Sequence, residues 1–146
     1  MFISPYKALR QEKGQNILEF ALILPFLLLV LFGVLDLGRV YFSTITLTSA
    51  AREGARYLTL HSDDISNPLG VFRNTKLIAA KEANYAGITV STSQINVSCI
   101  NVDDEPEYCD GGKPATVTVT HNFDLVLGWV LPSPISITRS AEMMVP

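Results

Sequence analysis

Gly14-Gln15-Asn16-Ile17-Leu18-Glu19-Phe20 opens an apolar run that continues through Ala21-Leu22-Ile23-Leu24-Pro25 to Leu35. Phe20 to Leu35 holds sixteen residues and no charge. As a helix it is about 24 Å long, short of the roughly 30 Å hydrocarbon core of a bilayer. Counted from Gln15 it reaches about 31 Å, which does span. Glu19 then lies inside the membrane edge, where a carboxylate is costly and calls for a partner. Pro25 removes one backbone donor and kinks the helix, which neighbouring helices can tolerate in a membrane. The run is too long for the apolar part of a secretory signal, and no small-x-small cleavage site closes it. Cleavage before the run would instead remove a basic leader and leave the helix on the mature chain.

The charges on either side set an orientation. Residues 1–14 carry Lys7, Arg10 and Lys13 against Glu12, whereas residues 57–146 carry ten acids and five bases. Basic residues flank the cytoplasmic end of a span, so the N-terminus is expected inside and the acidic part outside. An acidic domain also argues against a nucleic-acid partner. At 146 residues the chain is one domain plus an anchor. Three parts are expected: a basic leader over 1–14, a long helix over 15–60, and an extracytoplasmic α+β domain over 61–146. Within the helix, 15–36 is expected to span the membrane and 37–60 to be amphipathic.

Beyond Asp36, Val40, Thr44, Leu47, Ala51, Ala55 and Leu58 recur at helical spacing, while Arg52, Glu53 and Arg56 lie on another side. Asp36 and Arg39, three apart, meet on one helix face. They read either as a solvated pair or as a mark of the outer membrane boundary or a subunit contact. Arg52, Glu53 and Arg56 read either as a solvated face or as a subunit contact. Residues 61–73 read as a loop, with Asn67-Pro68 and Gly70 as turn signals. A second helix is expected from Asn74, as cap, to Tyr85 or Ala86, ended by Gly87. Residues 88 to about 102 alternate as a strand, and Pro114 to Asp124 is the clearest strand. Leu125 to Leu131 is an apolar connection containing Trp129. Ile135, Ile137, Arg139, Ala141 and Met143 alternate as a last strand. The fold class is α+β: a three- or four-stranded antiparallel sheet packed on the C-terminal half of the long helix.

Cys99 and Cys109 fall in the outside part, where a disulfide is favoured over two free thiols. Two cysteines without a local histidine are too few for a metal site. Asp63, Asp64 and Asn67, and the run Asp103-Asp104-Glu105-Pro106-Glu107, carry oxygen ligands but match no complete calcium loop. His61 and His121 are isolated, the latter read as a satisfied core histidine. No phosphate loop, HExxH, CxxC or GxSxG is present, so neither an enzyme nor a cofactor is expected.

Gly14 followed by Gln15 and, four residues on, by Glu19-Phe20 resembles the processing site of type IV pilin-like precursors. There a prepilin peptidase cuts after the glycine, and a glutamate stands fifth in the mature chain. Three blocks in order resemble the TadE family of tight-adherence (Tad, Flp) pili. They are Leu18-Glu19-Phe20-Ala21-Leu22-Ile23-Leu24-Pro25, then Phe32-Gly33-Val34-Leu35-Asp36-Leu37-Gly38-Arg39, then Ala50-Ala51-Arg52-Glu53-Gly54-Ala55-Arg56. The resemblance covers residues 14 to about 60, with a weaker likeness in the C-terminal strand pattern. It implies a pilin-like minor subunit or pseudopilin, cut between Gly14 and Gln15, whose Glu19, Phe20, Pro25, Asp36, Arg39, Arg52, Glu53 and Arg56 serve assembly and helix packing. Implied partners are the prepilin peptidase, other pilin or pseudopilin subunits, the Tad assembly platform and membrane lipid. The alternatives are an uncut single-pass envelope adaptor, a self-assembling pilus subunit and an envelope enzyme.

Overall fold

The computed structural model describes residues 9–62, 68–99, 109 and 111–146. Helix α1 runs Leu9–Leu60, 52 residues with Pro25 inside it, about 78 Å long. Helix α2 follows at Pro68–Tyr85. Strands β1 (Ile95–Cys99), β2 (Pro114–Phe123) and β3 (Ile135–Met144) form one antiparallel sheet in the order β1-β2-β3. Val117, at the centre of β2, pairs with Val97 on one side and Ala141 on the other. The fold is thus α+β, a long N-terminal helix packed against a small three-stranded sheet.

The core forms where α1, α2 and the sheet meet. α1 contributes Leu47, Ala50, Ala51, Ala55 and Leu58; α2 contributes Val71, Ala79, Ala80 and Ala83; β2 contributes Ala115, Val117, Val119 and Phe123. Alternation in β2 follows from the period of two along a strand. The alanines of both helices are small because the two elements approach closely. A Cβ built on Gly54 would lie 3.1 Å from the Ala79 Cβ and 3.2 Å from the Val117 Cγ1. No larger residue fits there without displacing helix or sheet.

Two expected boundaries are corrected. α2 begins at Pro68, not at Asn74. Proline suits the first turn of a helix, where its missing N–H is not needed, so it starts this helix where a turn was expected. Asn74 lies inside α2 and donates to the Tyr57 hydroxyl at 3.4 Å. The first strand is also shorter than expected. Ile88 and Val90 are buried, but the ladder begins only at Ile95, after a short 3-10 turn at Thr92–Gln94. Burial of alternate residues therefore came without strand pairing. The end of α2 does fall at Gly87, whose φ of +82° puts it in the left-handed region open to glycine. Gly87 donates to the Asn84 carbonyl and Ile88 to the Ala83 carbonyl, the double closure of a Schellman motif.

Candidate membrane and subunit-packing surface

From Gly14 to about Leu35, α1 is left largely uncovered by the domain. Its large apolar residues from Ile17 to Leu37 are exposed, and none of its most hydrophobic window is buried. By length and composition it is the one described helix able to cross a membrane. Gly14 and Gln15 lie within this helix, which is continuous from Leu9. The Gln15 side-chain amide donates to Glu19 Oε1 at 3.3 Å, as the i, i+4 spacing allows. Phe20 is exposed, and Pro25 sits mid-run without ending the helix.

At Asp36 the surroundings change. Asp36 is 4% exposed. Its Oδ1 accepts the Val126 amide and its Oδ2 the Leu127 amide, each at 3.0 Å. Arg39 Nη1 completes the set at 3.3 Å, and the Arg39 guanidinium stands 4.8 Å from the centre of the Phe123 ring. The Asp36–Arg39 pair is therefore no solvated surface pair. It fastens the β2–β3 connection to the long helix through charge-assisted bonds to two backbone amides. Val126 and Leu127 escaped the sequence reading because they act through their backbone. The only sequence signal near them was the apolar stretch Leu125–Leu131.

Above this clasp the helix keeps an uncovered apolar face. Leu37, Tyr41, Phe42 and Ile45 are exposed, while Asp36, Ser43, Leu47 and Ala50 turn to the domain. The former group extends the apolar surface beyond any single-span length. Further along, Arg56 forms a fork-to-fork pair with Glu53, at 3.1 Å and 3.0 Å. Those hydrogen bonds hold the Glu53 carboxyl below its ordinary range and raise the Arg56 guanidinium. Arg52, exposed beside them, makes no hydrogen bond or ion pair among the described residues.

Cys99 and Cys109 are joined in a disulfide with Cα atoms 5.2 Å apart. It ties the end of β1 to the segment leading into β2. Closing a loop with a separation of 10 residues is worth about 2–3 kcal/mol. Cys99→Ser is expected to lower the thermal midpoint of the detergent-solubilised chain by about 10 °C. An unchanged midpoint under oxidising conditions would show the bridge to be idle.

His121 departs from expectation. It is half-buried, and its Nδ1 finds no hydrogen-bond partner among the described residues. It lines a groove with Val34, Gly38, Phe42 and Phe123, so the satisfied core histidine read from the strand pattern is not what forms. Among the described residues no cluster of three or more His, Cys, Asp or Glu could hold a metal ion. The acidic segments 63–67 and 103–107, with the leader residues before Leu9, lie outside the described residues.

The geometry defines a class first: one apolar helix long enough to cross a membrane, continued without a break into the core of a small α+β domain. The family model described as TadE-like protein matches residues 14–56, the stretch that holds the three blocks of the resemblance. The match begins on Gly14, ends on Arg56, and includes neither α2 nor the sheet. TadE-like proteins are a pilin-type structural family, and the likeness to them is confined to this helical stretch. No curated protein and no solved structure matches the chain.

Proposed function

We propose that this chain is a minor pilin or pseudopilin that supports assembly of a Tad/Flp-type adhesive pilus after a prepilin peptidase cuts the Gly14–Gln15 bond. In this reading residues 1–14 are the leader, 15–36 span the membrane, and 37–146 lie outside the cytoplasm. The observation that carries it is the coincidence of the TadE match with a helix whose apolar surface is left bare. A surface of that extent belongs against lipid or other helices. Leu37, Tyr41 and Ile45 continue it past the expected membrane boundary, which suits packing against neighbouring subunits after extraction from the bilayer. Cutting would leave the Gln15 amine one helical turn from Glu19, and the pair gains most where water is absent.

One observation favours an uncut adaptor: α1 is helical through Gly14–Gln15, so the bond must unwind locally before any peptidase can cleave it. Deletion of the gene separates the functions. Loss of pili, restored by the native chain but not by one lacking residues 1–36, is the expected result. Normal piliation of the deletion strain would remove the assembly role.

A further inference from the structure

The connection between β2 and β3 does not stay beside the sheet. Leu127 and Trp129 reach back along α1 and, with Pro25, Phe26, Leu29 and Phe32, line an open apolar cleft of about 490 Å³. Leu29 lies seven residues before Asp36, about 10 Å along the helix axis, and Pro25 about 16 Å. Trp129 is 80% exposed there, and Val126, Val130 and Leu131 are exposed with it. A turn with this composition is ill suited to water.

Six of its seven backbone amides, all but that of Trp129, donate to acceptors within the protein. The Leu125 amide donates to Ser133 Oγ at 3.2 Å. Those of Val126 and Leu127 donate to the Asp36 carboxylate. Gly128 donates to the Leu125 carbonyl, and Val130 and Leu131 both donate to the Leu127 carbonyl. Non-helical backbone is tolerated at membrane depth only where its polar groups are satisfied by protein. Asp36 supplies two of those acceptors, and its own charge is met by Arg39, as an ionisable group at that depth requires.

We infer that the Leu125–Leu131 turn is a second membrane-embedded element, and that lipid acyl chains of the leaflet on the sheet's side fill the cleft between Trp129 and α1. This rests on the membrane-spanning reading of α1. A bilayer that covers Phe26, Leu29 and Phe32 must also cover the tryptophan standing against them. No charged or polar side chain lines the cleft, so its walls match an acyl chain. The turn would hold the sheet down on the membrane surface, with Trp129 as an apolar anchor bearing one N–H.

Trp129 is the single tryptophan of the chain, so intrinsic fluorescence reports this turn alone. The full-length protein is reconstituted into phosphatidylethanolamine–phosphatidylglycerol vesicles, with and without lipid brominated on its acyl chains. The expected emission is blue-shifted from that of the denatured protein, quenched by brominated lipid and insensitive to aqueous iodide. Quenching by iodide without response to brominated lipid would place the turn in water and overturn the inference. Insensitivity to both would mean that protein, such as a second copy, covers it, and would overturn it equally. Alkaline extraction of the same vesicles separates the two readings. A chain that washes out defeats the membrane span itself, whereas a retained chain with iodide-quenched Trp129 defeats only the inserted turn. Asp36→Ala should give iodide access to Trp129, because two amides lose their acceptor; the native-chain result decides the matter even if this variant does not fold.

Discussion

Gly54→Leu is expected to destabilise the domain by about 2–3 kcal/mol, lowering the thermal midpoint of the detergent-solubilised chain by about 10 °C or more. Gly54 stands where α1 meets α2 and β2, and a bare Cβ would already lie 3.1 Å from Ala79 and 3.2 Å from Val117. The Thr75 carbonyl closes a third side at 3.6 Å. The remaining leucine carbons can be placed only by separating the helices or lifting them from the sheet. Gly54→Ala should be far milder. It gains about 1 kcal/mol of helix propensity, which offsets a displacement of a few tenths of an ångström. Circular dichroism melts of the three proteins check both claims. A leucine variant that melts with the native chain would mean that the close crossing contributes nothing to stability.

Glu19→Ala should leave the chain in the membrane and abolish its contribution to pili. In the proposed reading the carboxylate meets the amine that cleavage creates on Gln15, on its own or a neighbouring subunit. Removing one partner of a buried pair strands the other charge, at a cost of about 3–5 kcal/mol. Since each 1.4 kcal/mol is about tenfold, association falls by at least about a hundredfold. Counts of pili per cell, beside the fraction of the variant in washed membranes, measure the two effects separately. Normal piliation with Glu19→Ala would remove that residue from assembly.

Periodicity carried most of the fold. Ala115, Val117, Val119 and Phe123 are buried as their alternation requires, and Leu47, Ala51, Ala55 and Leu58 face the core as their helical spacing requires. Gly87 ended its helix because only its left-handed conformation permits that closure. Boundaries were harder. Pro68 looked like a turn beside Asn67, although proline is equally at home in a first helical turn. Ile88 and Val90 showed that burial, not pairing, sets an alternating pattern.

The clasp was half legible. Asp36 and Arg39 were visible as an i, i+3 pair, but the acceptors' true clients are the amides of Val126 and Leu127, ninety residues away and chemically silent in a sequence. The apolar stretch around Trp129 was visible, whereas its position beside Pro25 and Leu29 depended on that same long-range clasp. Gly54 was visible as part of the third block, Ala50 to Arg56. Its role as the close-packing point needed the third element, β2, to be in place.

Processing between Gly14 and Gln15 is the central claim, and the intact mass and N-terminal sequence of the chain test it most directly. The protein is expressed with and without active prepilin peptidase and recovered from membranes. The account predicts a chain beginning at Gln15 when the peptidase is present and at Met1 when it is absent. A chain that still begins at Met1 beside active peptidase would contradict it and leave a permanent membrane anchor in place of a pilus subunit.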